Sequence, residues 1–228
     1  MKESVLGVRS SDVMRHASVV KTNPTAQERE GKRWFLGIAK TIGTMLVVLW
    51  AIEIVNFLVG HRLNHWGILP RRLEGLPGIV FAPLLHGSFG HLAANSTLLA
   101  LFGAMIAMRS RRELVFVTIG GAVLGGLGTW LFGSLFRPLG MHVGASGVVF
   151  AYFGYLLAIG LYERRIGSVI VSVLMAVGFG GLIYGVMPGQ EGISWEGHLF
   201  GFLGGIFLAR TVGRRTRPET PKRKRARA

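Results

Sequence analysis

Long apolar runs, broken by short charged stretches, set the pattern of this chain. Between residues 35 and 211 the hydrophobic positions do not alternate with polar ones, as they would in a half-buried strand. They continue for about 17–25 residues at a time, the length with which an α-helix crosses roughly 30 Å of hydrocarbon. Six such runs are predicted, over 35–59, 91–108, 114–136, 143–162, 168–186 and 195–211. In lipid they must be helices, because an open strand would leave backbone N–H and C=O groups unpaired. The expected fold is an all-α membrane protein, a bundle of six transmembrane helices over residues 35–211. An N-terminal tail (1–34) and a basic C-terminal tail (212–228) flank it. The first thirty residues are polar and mixed in charge, with no short apolar core ahead of a small-residue cleavage site, so they read as a cytoplasmic tail and not a signal peptide.

Composition agrees with one domain of this kind: 228 residues, 50% hydrophobic, 34 Gly and a mean hydropathy of +0.46. Cysteine is absent, which excludes disulfides and thiolate metal sites. A formal charge of +15 raises nucleic acid as a partner, and the placement of the charge argues against it. Of 26 Lys and Arg, 21 lie in the N-tail, the second-to-third and fourth-to-fifth loops and the C-tail. Only Arg62, Arg71, Arg72 and Arg137 lie on the other side, with Lys40 near one end of the first span. By the positive-inside rule this is a multi-pass protein of the cell membrane with both termini in the cytoplasm. The Lys/Arg-rich segment 218–228 is expected to be disordered and drawn to anionic membrane lipid.

That topology brings His91, Asn95, Ser146 and His198 to a similar depth near the outer face, where polar side chains are costly and usually functional. Ser146 sits in Gly144-Ala145-Ser146-Gly147. This is not the nucleophile elbow of soluble hydrolases, because Val148 stands where that motif needs glycine. Taken alone, Ser146 reads as a helix N-cap. His198 lies three residues before Gly201, which with Gly205 forms a Gly-xxx-Gly seam. The fourth span offers a matching small-residue row at Gly147, Ala151, Gly154 and Ala158. Packing of these rows would carry Ser146 to His198, whose imidazole could then act as general base for the hydroxyl. Alternatively, His198 bonds an interhelical carbonyl. His91 and Asn95 share a helix face at i, i+4 and can donate to an oxyanion or, as a polar pair, stabilise the bundle. His86, His91, His142 and His198 have no carboxylate among them at a ligand spacing, so neither metal nor cofactor is expected. Glu53, charged within an apolar span, is expected to snorkel or to pair with a loop arginine.

Together His86-Gly-Ser-Phe-Gly-His91-Leu-Ala-Ala-Asn95, Gly144-Ala-Ser146-Gly147 and Gly197-His198-Leu-Phe-Gly201-Phe-Leu-Gly-Gly205 resemble the rhomboid family of intramembrane serine proteases. The resemblance covers residues 35–210 and fits the six-helix bacterial form. It implies a Ser146–His198 dyad without an acidic third member, and an oxyanion hole made by the Ser146 amide with His91 and Asn95. The implied partners are substrates that are transmembrane helices of other proteins, admitted laterally near the fifth span and cut near the outer face. The loop at 187–194 is expected to cap the site. Two features depart from the pattern. The family often has Tyr four residues after the serine, stacked on the histidine, where this chain has Phe150. Some members carry Trp-Arg in the first loop, where this chain has Pro77 and Gly78, so that anchor is missing. A non-proteolytic rhomboid-like protein that binds membrane helices is the alternative function. A transporter is disfavoured, because no inverted repeat or row of core charges is present.

Overall fold

A computed structural model describes residues 25–135, 138–190 and 192–216. Most of the expected N-tail and the 218–228 segment lie outside the described residues. The helices are α1 (Ala26–Leu58), α2 (Gly78–Phe81), α3 (Phe89–Arg109), α4 (Arg111–Phe132), α5 (Ser146–Glu163), α6 (Ile166–Phe179) and α7 (Trp195–Thr216), and α6 continues as a 3₁₀ helix over Gly180–Val186. Five of them, α1, α3, α4, α5 and the extended α6, are long and apolar enough to cross a membrane, and α7 is as long but less apolar. The protein is an all-α, multi-pass membrane protein.

The boundaries moved where local chemistry overrode hydropathy. The chain divides into Met1–Leu36 and Gly37–Ala228. In the first unit the helix begins at Ala26, well inside the stretch expected as tail. Thr25 Oγ1 accepts the Glu28 N–H (3.3 Å) and Glu28 Oε2 accepts the Thr25 N–H (2.5 Å), a reciprocal cap that starts a helix in polar sequence. In the second unit α4 ends at Phe132, four residues early, because Gly133 leaves the helix and Ser134 takes the left-handed region (φ 53°).

At the centre of the second unit stands α5. Tyr152, Tyr155, Phe153, Leu156 and Ile159 on it are all buried, and α3, α4, α6 and α7 pack around it. Its contact with α7 is the most extensive in the molecule. A side chain at Gly201 would overlap the Gly147 carbonyl, one at Gly205 the Ala151 carbonyl, and one at Gly154 the Phe202 carbonyl. The two small-residue rows therefore bring backbone against backbone, as the seam required. By contrast α6 is largely exposed along its length. Ser172 holds it to α5, donating to the Leu156 carbonyl (2.9 Å) and accepting the Gly160 N–H (3.0 Å).

The first loop, between α1 and α3, is anchored without Trp-Arg. Ile68 and His142 exchange backbone hydrogen bonds of 2.9 Å each. The Arg71 N–H donates to the Trp130 carbonyl (2.9 Å), and the Arg71 guanidinium donates to the carbonyl of Gly133 (2.6 Å). Trp130 Nε1 returns a bond to the Arg72 carbonyl (2.9 Å). Helix ends leave carbonyls without intrahelical donors, and a cation is a favourable partner for them. Arg71, read from the sequence only as a topological charge, ties the loop to the end of α4.

Glu53 also departs from expectation. It is fully buried and pairs with His61 Nε2 (3.3 Å) and Asn56 Nδ2 (3.2 Å), not with an arginine. After α1, Gly60 and His61 both adopt positive φ (67° and 59°), which folds the His61 ring back onto the last turns of the helix. The partner is local because the chain reverses there.

Candidate active site

Gly144 shapes the approach to Ser146. Its φ of 123° favours glycine, and a Cβ there would lie 2.6 Å from His91 Cε1, so the missing side chain also makes room for the His91 ring. Its N–H donates to the Ala82 carbonyl (2.9 Å). The next amide, Ala145 N–H, donates to His86 Nε2 (3.4 Å). Burial, reinforced by the neighbouring His91 ring, pushes the His86 imidazole down to about 4, so it is neutral and can accept that bond. Asn56 and Asn64 donate to the His86 carbonyl (3.2 and 3.1 Å), which fixes the residue from its other side. Ala145 takes the position before the helix, and Ser146 is the first residue of α5. The Ser146 N–H therefore belongs to the turn whose amides have no intrahelical acceptor.

His198 lies in the first turn of α7 and is buried. Its Nδ1 is 2.9 Å from the Gly185 carbonyl. A carbonyl can only accept, so Nδ1 carries a proton, and in the neutral ring Nε2 is then the nitrogen with the lone pair. The Phe150 ring stacks on the imidazole at 4.1 Å between centroids and 10° between planes. Gly185 permits both contacts, since a Cβ there would lie 2.7 Å from Phe150 Cζ and 3.5 Å from His198 Nδ1.

The structure brings together all five residues singled out in the sequence. Ser146, His198, His91, Asn95 and Phe150 line one cleft of about 770 Å³, with Gly192, Ile193 and Ser194 of the following loop at its edge. Ser146 and His198 sit on helices in backbone contact, because a Cβ on Gly147 would lie 3.4 Å from the Gly197 carbonyl. His91 is held at the start of α3, where Ser88 Oγ accepts its N–H (3.2 Å). Asn95 is buried, and its Nδ2 has no hydrogen-bond partner among the described residues. A would-be Cβ on Gly144 lies 3.6 Å from that nitrogen, which puts the amide beside the Ser146 turn. Behind Ser146 a second cavity of about 40 Å³ is walled by Gly121, Gly125, Thr129 and Gly147.

A polar clasp surrounds the site. His142 Nδ1 meets Ser194 Oγ (2.5 Å) and its Nε2 meets Ser134 Oγ (3.1 Å). The Glu196 carboxylate accepts the Ser134 N–H (2.8 Å). Ser194 Oγ also accepts the Gly197 N–H (3.3 Å), and the Ser194 carbonyl accepts the His198 N–H (3.1 Å). The loop leading to Ser146 is thus tied to the helix start that carries His198. In the sequence His142 was visible only as a weak metal-ligand candidate, and Gly185 as one glycine among several. Both act through bonds to distant segments, for which sequence spacing holds no signal. No three His, Asp or Glu side chains among the described residues are grouped to hold a metal.

Residues 74–215 match the Rhomboid domain family, a stretch that contains all five cleft residues. The chain is 38% identical over 191 residues to an uncharacterized protein of Mycobacterium tuberculosis, across 82% of this chain and 79% of that one. It is also similar to YdcA of Bacillus subtilis, 30% identical across 72% of this chain and 75% of that one. Rhomboid protease GluP of the same organism is 27% identical across 57% of this chain and 25% of its own length.

Proposed function

The chain belongs to the rhomboid family, and from that premise we propose that it is an intramembrane serine endopeptidase that cuts transmembrane helices of other proteins near the outer face. The observation that carries this reading is the buried, unpaired Asn95 Nδ2 beside the Ser146 turn. An unsatisfied buried donor costs about 1–3 kcal/mol, and a cleft that keeps one next to a serine and a histidine is ready to receive an anionic oxygen.

In the proposed reaction Ser146 Oγ attacks the scissile carbonyl carbon as His198 Nε2 takes the hydroxyl proton. The Gly185 carbonyl holds Nδ1–H and so orients the imidazole, the role a carboxylate fills in triads. Negative charge forms on the former carbonyl oxygen and is met by the Ser146 N–H, Asn95 Nδ2 and the His91 ring. When the C–N bond breaks, His198 returns its proton to the leaving amine. Water then adds to the acyl-enzyme with His198 again as base, releasing the new carboxyl end and Ser146. Neither metal nor cofactor takes part. The small cavity behind Ser146 favours a small substrate side chain next to the cut, and glycines or helix-weakening residues there expose the carbonyl to attack. The loop at 187–194 would shield these steps from bulk water.

The Lys/Arg asymmetry supports a topology with both termini in the cytoplasm, and reporter fusions at the C-terminus test it. The enzyme reading is tested with purified protein in proteoliposomes containing a transmembrane reporter substrate. Wild type should cleave it and take up a fluorophosphonate at Ser146. A protein that binds the substrate helix but neither cleaves it nor labels would be the non-proteolytic relative.

A further inference from the structure

At the Arg109 end of the bundle, away from the cleft just described, three arginines stand close in sequence and differ sharply in company. Arg109 is satisfied by Glu113 (3.1 Å), Glu163 (2.9 Å) and Ser168 (3.0 Å). Those carboxylates have further partners, because Glu113 also accepts the Tyr155 hydroxyl (2.7 Å) and Glu163 the Ser168 hydroxyl. Arg111 and Arg112, both exposed, have no ion pair among the described residues. They mark one end of a lateral cavity of about 880 Å³ that runs along α4 and is otherwise walled by apolar side chains, among them Val115, Phe116, Ile119 and Val123, with Thr41 of α1 on its rim. At Gly120 the wall carries no side chain, and the surface steps in towards Leu208 of α7, which a Cβ at 120 would meet at 2.8 Å.

We propose that this cleft is a binding site for one anionic phospholipid, with its phosphate held by Arg111 and Arg112 and an acyl chain lying along α4. Dimensions and charge agree on that occupant. From Arg112 to Val123 the helix rises about 16 Å, close to half of the roughly 30 Å hydrocarbon thickness, so the apolar wall matches one leaflet. Two uncompensated guanidiniums at the headgroup level attract a phosphodiester, and the fork geometry of arginine suits its oxygens. A soluble anion would engage the arginines and leave the apolar wall uncovered. A neutral lipid would cover the wall and leave both cations unmatched. The site is independent of the catalytic reading and survives its failure.

The test uses full-length protein in nanodiscs of phosphatidylcholine with a minor fraction of phosphatidylglycerol, followed by mild extraction and native mass spectrometry of retained lipid. Wild type should retain phosphatidylglycerol over phosphatidylcholine by of the order of ten-fold relative to the bilayer, as two cations near one anionic headgroup allow. R111Q/R112Q should lose that preference while melting normally. R164Q/R165Q, which removes two exposed arginines from the α5–α6 turn, should keep it. Ile119→Trp, which fills the wall and leaves both charges, should lower retention of either lipid. Equal loss in R164Q/R165Q would mean diffuse surface attraction and overturn the site. Displacement by inorganic phosphate or glycerophosphoglycerol alone would overturn the role of the acyl chain.

Discussion

Two buried polar clusters stand in the bundle, one closed on itself and one left open. Around Arg109 every principal group has found its partner: a guanidinium on two carboxylates and a hydroxyl, a tyrosine on Glu113, a serine on Glu163. The cluster links α3, α4, α5 and α6. Around Ser146 the polar groups line a cavity, and among the described residues the Asn95 amide nitrogen, like Nδ1 of the His86 ring, has no hydrogen-bond partner. Burial of polar groups is costly in both places. Where each charge has found an opposite charge or a hydroxyl the cost is offset within the fold, and the cluster is structural. Where one is kept open at the edge of a cleft, the proposed reaction supplies the missing partner as a substrate oxygen.

That contrast is broken most completely by Ser146→Ala. Cleavage of the transmembrane reporter should be abolished with no loss of thermal stability, and His198→Ala should do the same without adding to the serine loss, since the pair act as a unit. Cleavage by the serine variant at near the wild-type rate would sink the assignment.

Arg109→Gln should act in the opposite sense. It leaves Glu163 buried without its cation, and loss of one partner from a buried pair costs about 3–5 kcal/mol. Melting in detergent should fall steeply while the rate per folded molecule is retained. An Arg109 variant that melts like wild type would mean the closed cluster does not hold the helices together.

Asn95→Ala removes a donor that holds nothing in the resting protein. Melting should be unchanged or slightly raised, and kcat should fall by about 10²–10³-fold if this donor dominates the oxyanion hole. A raised KM with unchanged kcat would remove Asn95 from that role.

His142 shares features of both clusters, and its variant should show both losses. His142→Ala removes the ring partner of the Ser134 and Ser194 hydroxyls, an effect of about 1–3 kcal/mol on stability, and loosens the tie between the loop leading to Ser146 and the α7 start. Stability and kcat should therefore drop together. A loss in melting alone would confine the clasp to structure.

Phe150 is the finest probe. A stacked aromatic pair is worth about 0.5–1.5 kcal/mol, enough to bias the imidazole and too little to decide folding. Phe150→Tyr should keep activity and Phe150→Leu should lose a few-fold in kcat. Equal activity in the two would mean that volume matters at 150 and the ring does not.

Apolar length is written along one dimension, so the spans could be counted from the sequence, and the Gly201/Gly205 seam could be read because helical neighbours recur at fixed spacing. The residues now lining the cleft carried their own chemical types and motif order, and for that reason Ser146, His198, His91, Asn95 and Phe150 could be named in advance. Only the tertiary structure decided which atoms serve them. The Gly185 carbonyl on His198, the Ala145 amide on His86, the Arg71 guanidinium on the end of α4, and the His142 clasp each join segments far apart in sequence. In the first three the partner is a backbone group, which every residue possesses and no residue type announces. Glu53 is the converse case: its charge was plain, but its partner was set by a reversal at Gly60 and His61 that hydropathy does not record.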